Sequence, residues 1–265
     1  MTITEFQTLR LETDDLGVAT LTLYRPDKHN ALNEQLIAEL TEAAGQLAAD
    51  RSVRVVVLTG AGASFCAGGD LNWFAGNINR TPEQRREQSD RLADMLYALD
   101  TLPKPLIGRI NGSAYGGGVG MISVCDLAVA VDNARFGLTE VRLGLLPATI
   151  SPYVVARIGA VNARATMLSG ALFGADQAQT IGLLNDCCPV EQLDIRIGQI
   201  VADHLQAAPG AVAATKQLIR TVSGQPVENC RAVTAERLSA AWDSEEGRTG
   251  IDCFLNKRRA PWRSD

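Results

Sequence analysis

Three consecutive glycines, Gly116-Gly117-Gly118, follow the apolar run 105–110 and precede Val119, Ile122 and Val124, which are spaced as in a short helix. That order predicts a buried strand ending where a helix begins. A helix start carries unpaired N–H groups and the positive end of the helix dipole. Glycine leaves those groups uncovered, so an anion or a developing oxyanion can approach them. A tight turn with close helix–sheet packing fits the same residues. A second glycine-rich loop, 60–71, leaves another apolar run, 53–59. Two backbone donors converging on one oxygen would form an oxyanion hole, in which each donor is worth on the order of 3 kcal/mol of transition-state stabilisation. Between apolar and glycine-rich neighbours stands one carboxylate, Glu140. It reads either as an acid/base or as half of a surface ion pair with Arg142.

Other chemistries are poorly served. The loop 60–71 begins like a dinucleotide loop, but Phe65 stands in the place of the third glycine, and no Gly-Lys-Ser/Thr of a P-loop occurs. With only two histidines, His29 and His204, a multi-histidine metal site is excluded. Six cysteines (66, 125, 187, 188, 230 and 253) form no CxxC pair and are expected to be reduced and mostly buried. Cys66 could serve a thioester hydrolase, yet no histidine stands at a partner's spacing. A net charge of −5 speaks against nucleic acid or an anionic membrane as partner. The densest basic cluster, Lys257-Arg258-Arg259, is short enough to be a solvated helix end. No apolar run approaches the ~20 residues of a spanning helix, and residues 1–5 lack an export-signal pattern, so the expected address is the cytoplasm.

The elements that must position these residues are largely legible. A chain of 265 residues, 46% apolar and 21% charged, has the make-up of a soluble globular protein with a large core, in one domain or two. Segments 6–12 and 18–24 alternate around Asp14-Asp15-Leu16-Gly17, a hairpin signal. Asn33 caps a helix with Leu36, Ile37, Leu40, Ala44 and Leu47 on one face. Residues 73–80 read as a mobile connector, and Thr81-Pro82-Glu83-Gln84 as a capping box for a helix that ends before Pro103. Further strands are expected at 127–131 and 183–189, and helices at 152–158, 161–168, 175–181, 190–206, 210–223, 226–243 and 247–257. An α/β core with a helical C-terminal extension follows.

Phe65-Cys-Ala-Gly-Gly-Asp-Leu71, Asn111-Gly-Ser-Ala-Tyr-Gly-Gly-Gly118 and Phe136-Gly-Leu-Thr-Glu-Val-Arg-Leu-Gly-Leu-Leu-Pro147 resemble, in order and spacing, the three signatures of the enoyl-CoA hydratase/isomerase (crotonase) family. Arg25-Pro26 and the segment 254–258 also fit, so the resemblance spans essentially the whole chain. It implies an α/β spiral of ββα units over residues 1–190, carrying the CoA and active sites. It implies a helical region over 191–265 that makes trimer contacts, often in a dimer of trimers. The implied substrate is an acyl-CoA thioester, with no cofactor beyond the coenzyme A of the substrate and no metal. The resemblance places the thioester oxygen between the N–H groups of Ala67 and Gly117. It lines the CoA path with Ala67, Gly68, Gly69, Asp70 and Leu71, and assigns phosphate contacts to Lys28 and to Lys257 of a neighbouring subunit. Glu140 matches one of two catalytic glutamates, while the second would fall at Gly120 and is missing.

Residues 120–126 and 138–153 are further similar to a bacterial subgroup that hydrates branched, carboxylated substrates, 3-methylglutaconyl-CoA and isohexenylglutaconyl-CoA. On that resemblance Glu140 positions water and exchanges the proton, the substrate carboxylate or an ordered water supplies what Gly120 cannot, and Gly120 frees space near the β-carbon. A Δ3,Δ2-enoyl-CoA isomerase working with Glu140 alone and a non-catalytic CoA-binding protein are the alternatives. Arg142 and Arg157 read either as readers of a distal carboxylate or as structural ion pairs. Trp73, Phe74 and Tyr115 read either as walls of an acyl pocket or as core.

Overall fold

The computed structural model describes residues 2–263; Met1, where the segment read for an export signal begins, and Ser264 and Asp265 lie outside the described residues. Strands β1 (Thr2–Glu5), β2 (Leu9–Thr13) and β3 (Val18–Leu23) form an antiparallel ribbon. The β2–β3 hairpin is the one expected. Asp14 ties its turn by accepting from the N–H groups of Leu16 and Val18. At Gly17, with φ at +80°, a Cβ would stand 2.3 Å from the Ser52 carbonyl oxygen. Strand β1 was not anticipated, because Thr-Ile-Thr-Glu holds a single apolar residue and shows no period.

Helix α1 (Glu34–Ala49) starts on Asn33, whose side chain accepts from the Leu36 N–H, and it buries the expected face. Three similar passages follow. Strand β4 (Val55–Gly60) leads to β5 (Ser64–Cys66) and helices α2 (Leu71–Ile78) and α3 (Pro82–Asp100). Strand β6 (Leu106–Ile110) leads to β7 (Ser113–Tyr115) and α4 (Gly117–Ser123). Strand β8 (Leu127–Val131) leads to β9 (Arg135–Gly137), a 3-10 turn at Glu140–Leu143, and α5 (Ser151–Met167). The chain continues through β10 (Phe173–Gly174), α6 (Ala175–Thr180) and β11 (Asp186–Cys188). It ends with α7 (Val190–Leu205), α8 (Pro209–Val222), α9 (Val227–Asp243) and α10 (Glu245–Leu255).

Seven strands form one sheet in the order β1-β2-β3-β4-β6-β8-β11, parallel from β3 onward. The short strands form a second sheet, β10-β9-β7-β5, in which β5, β7 and β9 are parallel. Each passage therefore places one strand in each sheet before its helix, which is the mixed α/β spiral expected. Because β5, β7 and β9 run the same way, the loops that leave them emerge on one side. Strand β4 is buried along its whole length, as its β-branched run requires.

Two local readings are corrected. Residues 73–80 are no loose connector: α2 occupies 71–78, capped by Asp70, which accepts from the Asn72 N–H. The helix buries none of its residues, so it shows no core stripe. The helices expected at 152–158 and 161–168 run together as α5, with the break between them kept as a kink at Gly159 (φ 74°, ψ 158°). Thr81 and Gln84 form the reciprocal capping box at the start of α3.

Helix α7 sends Leu193, Ile197, Val201 and Leu205 into the same core as the sheet strands. Helices α8 and α9 bury no residue, and α10 buries only Cys253. Among the described residues no helix is long and apolar enough to cross a membrane.

Candidate active site

Beyond β5 the chain is pinned to the segment after β3. The Ala67 N–H donates to the His29 carbonyl at 2.9 Å, the Gly68 carbonyl accepts from the Leu32 N–H at 2.7 Å, and the Asp70 N–H donates to the Leu32 carbonyl at 2.9 Å. Gly69 lies between these bonds, and its N–H finds no acceptor among the described residues. This corrects the expectation for Ala67, whose amide is already committed and cannot serve an oxyanion. The free donor of the loop is at Gly69, two residues on. Gly68 adopts φ +88°, where a Cβ would meet the Tyr115 carbonyl oxygen at 2.9 Å.

The second loop ends at Gly116, the cap of α4, which donates to the Gly137 carbonyl at 2.9 Å. Gly117 is the first helical residue, so its N–H has no partner within the helix and points out of its positive end. A Cβ on Gly118 would fall 2.6 Å from the Cys66 carbonyl oxygen. That glycine is what lets α4 lie against the β5 strand and brings the two loops together.

The carboxyl of Glu140 lies over Gly116: a Cβ there would stand 2.7 Å from Glu140 Oε1. Glu140 Oε2 is buried and accepts no hydrogen bond. Burial pushes the Glu140 carboxyl above the ordinary glutamate range, opposed only by its own backbone N–H. No ion pair with Arg142 forms; that side chain packs over Gly170 and donates to the Ser169 carbonyl.

Gly69, Gly117 and Glu140 line one cavity of about 180 Å³, walled by Trp73 and Phe74 of α2 and by Ile150. Ala67 and Tyr115 are not among its walls. Gly120 corrects a further expectation. It frees no space, because a Cβ there would meet Ile150 Cγ2 at 2.4 Å. Where a second carboxylate would have stood, an isoleucine side chain fills the room.

The remaining candidates lie elsewhere. Asp70 is buried against Arg25, 2.8 Å away; burial alone would raise its carboxyl, but the hydrogen bonds from Arg25 and Asn72 hold it below the usual range. It braces the loop and does not line the cavity. Leu71 is exposed, and Lys28 is exposed on the 3-10 turn Pro26–Lys28. Lys257 lines a separate hollow of about 610 Å³ with Arg258 and Arg259. Arg157 is tied to the carbonyls of Leu183 and Cys125 and to Asn185. Burial pushes the Cys66 thiol up to about 12, which removes it as a nucleophile. Among the described residues no group of three His, Cys, Asp or Glu side chains could hold a metal ion.

The sequence model of the family described as enoyl-CoA hydratase/isomerase matches residues 13–265. The chain belongs to that family. The 2,3-dehydroadipyl-CoA hydratase of Escherichia coli is 33% identical over 242 residues, 91% of this chain and 93% of its own. Among solved structures, an enoyl-CoA hydratase from Shewanella pealeana superposes with a TM-score of 0.94 at 34% identity, covering 97% of each chain. AtuE of Pseudomonas aeruginosa does so with a TM-score of 0.93 at 35% identity, over 97% of this chain and all of its own. Membership of the enoyl-CoA hydratase/isomerase family carries hydratase-type activity on CoA thioesters, and the cavity holding Gly69, Gly117 and Glu140 is the candidate seat of that chemistry.

Proposed function

We propose that the chain hydrates a 2-enoyl-CoA, with Glu140 as the single acid/base and the Gly69 and Gly117 amides holding the thioester oxygen. The observation that carries this is the convergence of those three groups on one cavity. Glu140 takes a proton from water as the water oxygen bonds to the β-carbon. Negative charge moves onto the thioester oxygen, facing the two N–H donors. The protonated Glu140 then delivers its proton to the α-carbon, so water is added across the double bond and the carboxylate is regenerated. A carboxyl whose proton affinity is raised by burial suits both halves of that exchange.

The finer reading is a branched, carboxylated acyl chain of the 3-methylglutaconyl or isohexenylglutaconyl type. It is supported by the resemblance of residues 120–126 and 138–153 to that subgroup. A relative named for dehydroadipyl-CoA, whose acyl chain ends in a second carboxyl, also supports it. No Lys or Arg lines the cavity, so such a carboxylate would be met by neutral donors. Isomerisation is the second reading, favoured by Ile150 standing where a second carboxylate would be needed. Incubation of 3-methylglutaconyl-CoA with the enzyme in heavy-oxygen water separates the two. Hydration places solvent oxygen in the product, and a product of unchanged mass with a moved double bond would overturn it. A homotrimer or dimer of trimers rests on the apolar residues left exposed on α8–α10. A cytoplasmic address fits six cysteines that are all unpaired.

A further inference from the structure

Among the buried side-chain nitrogen and oxygen atoms of the described residues, two have no hydrogen-bond partner: Glu140 Oε2 and Trp73 Nε1. Both residues line the same cavity. Buried polar atoms are nearly always paired, and an orphan is costly to keep. Glu140 has its use in the chemistry. Trp73 has none so far. We propose that the Trp73 indole N–H reads the acyl chain, donating a hydrogen bond to an oxygen acceptor that the chain carries beyond its β-carbon.

The chemistry of the group narrows the ligand. An indole N–H is a donor only, so its partner is an acceptor. The thioester oxygen is already served by Gly69 and Gly117, which leaves the far part of the acyl group. With no Lys or Arg in the lining, recognition works through a dipole, and it accepts a carboxylate or a neutral carbonyl oxygen. Position agrees. Trp73 stands on the first turn of α2, and its neighbour Phe74 closes over Gly69, where a Cβ would meet the Phe74 ring at 2.6 Å. The two rings lie 5.8 Å apart, tilted, so the indole is held beside the donor loop. Nε1 is shielded from solvent although the Trp73 side chain lines the cavity, so an acceptor reaches it when the cavity wall adjusts to the bound acyl chain.

This inference rests on the cavity holding the acyl chain, but its test needs no turnover. Binding of three saturated, unreactive thioesters is measured by calorimetry: isovaleryl-CoA, 3-methylglutaryl-CoA, and the methyl ester of the latter. The wild type is expected to hold at least one oxygenated thioester about tenfold more tightly than isovaleryl-CoA. W73F should erase that advantage, bringing the Kd values of the oxygenated thioesters level with that of isovaleryl-CoA whatever change in affinity all three share. The charged and esterified ligands separate a carboxylate from a neutral acceptor. Equal binding of all three by the wild type, or an advantage that survives in W73F, overturns the proposal. Should W73F fold poorly, the W242F/W262F variant leaves one indole N–H in a proton–nitrogen spectrum. That resonance must move downfield with 3-methylglutaryl-CoA or its ester and not with isovaleryl-CoA; a resonance that responds alike to all three also overturns it. Binding preferences that hold while hydration is absent would refute the hydratase reading and leave this one standing.

Discussion

At the residue scale, Glu140 concentrates both the cost and the use of the site. Its carboxyl is raised by burial, so between the unfolded and folded proton affinities the folded state keeps a proton that the unfolded chain has lost. Stability therefore falls as pH rises through that window, and the cost is complete above it. Glutamine fills the same volume without a charge to bury. E140Q is expected to lower kcat for hydration by roughly 10²–10⁴-fold with KM little changed. It is also expected to melt higher than the wild type at pH 8 and to lose that advantage below pH 4. Absorbance of the conjugated thioester reads the first effect and thermal melts read the second. Retained turnover would remove Glu140 from the mechanism. The wild-type kcat/KM should fall on the acid side with an apparent pKa above the ordinary glutamate value. The glycine loop 116–118 and the lone Glu140 stand out in the sequence by their apolar, glycine-rich neighbours, but those neighbours allow a tight turn and a surface ion pair equally well, and the roles given to Gly117 and Glu140 come from the family resemblance. Which amide of the loop 67–70 stays free was not. That depends on His29 and Leu32, which reach the loop only through tertiary hydrogen bonds.

At the element scale, local signals carried the hairpin, the Asn33 cap, the Thr81 box and the buried strands, because each is written in contiguous residues. Helix α2 escaped notice for a physical reason: its Trp73 and Phe74 wall the cavity and are only half-buried, so no stripe of fully buried residues runs along it. The short strands β5, β7 and β9 are three residues each, too brief for a period of two to show. The contact between Gly120 and Ile150 joins α4 to the entry of α5, and no local pattern announces it. It has a measurable consequence. G120E, which restores the missing glutamate in sequence, must displace Ile150 from a packed wall and is expected to cost about 1–3 kcal/mol of stability. It should bring no gain in hydration. The double variant G120E/I150A should recover much of that loss in denaturant melts. A G120E protein as stable as the wild type would show that Ile150 yields freely and that the wall assigned to it does not exist.

At the scale of the whole molecule, the C-terminal helices differ in how much they bury. Helix α7 behaves as an ordinary amphipathic helix, with one face in the common core. The next two helices bury nothing, although α9 carries Val227, Leu238 and Trp242, and α10 adds Phe254, which is 83% exposed. Large exposed apolar side chains on consecutive helices are what the proposed assembly of identical chains would cover. Their helical pattern is visible in the sequence; the partner is not, since a face that meets a second copy reads like one that meets the core. Sedimentation velocity at micromolar concentration should give three or six times the mass of one chain. Because a closed assembly is held by mass action, its melting temperature should rise with protein concentration. The variant L238K/W242E places two charges on α9 where no core packing is disturbed, so a lone chain should tolerate it. It is expected to sediment as a single chain and to melt at a temperature independent of concentration. If the wild type already sediments as one chain, or the variant keeps the mass of the assembly, α9 is not the surface that joins the copies.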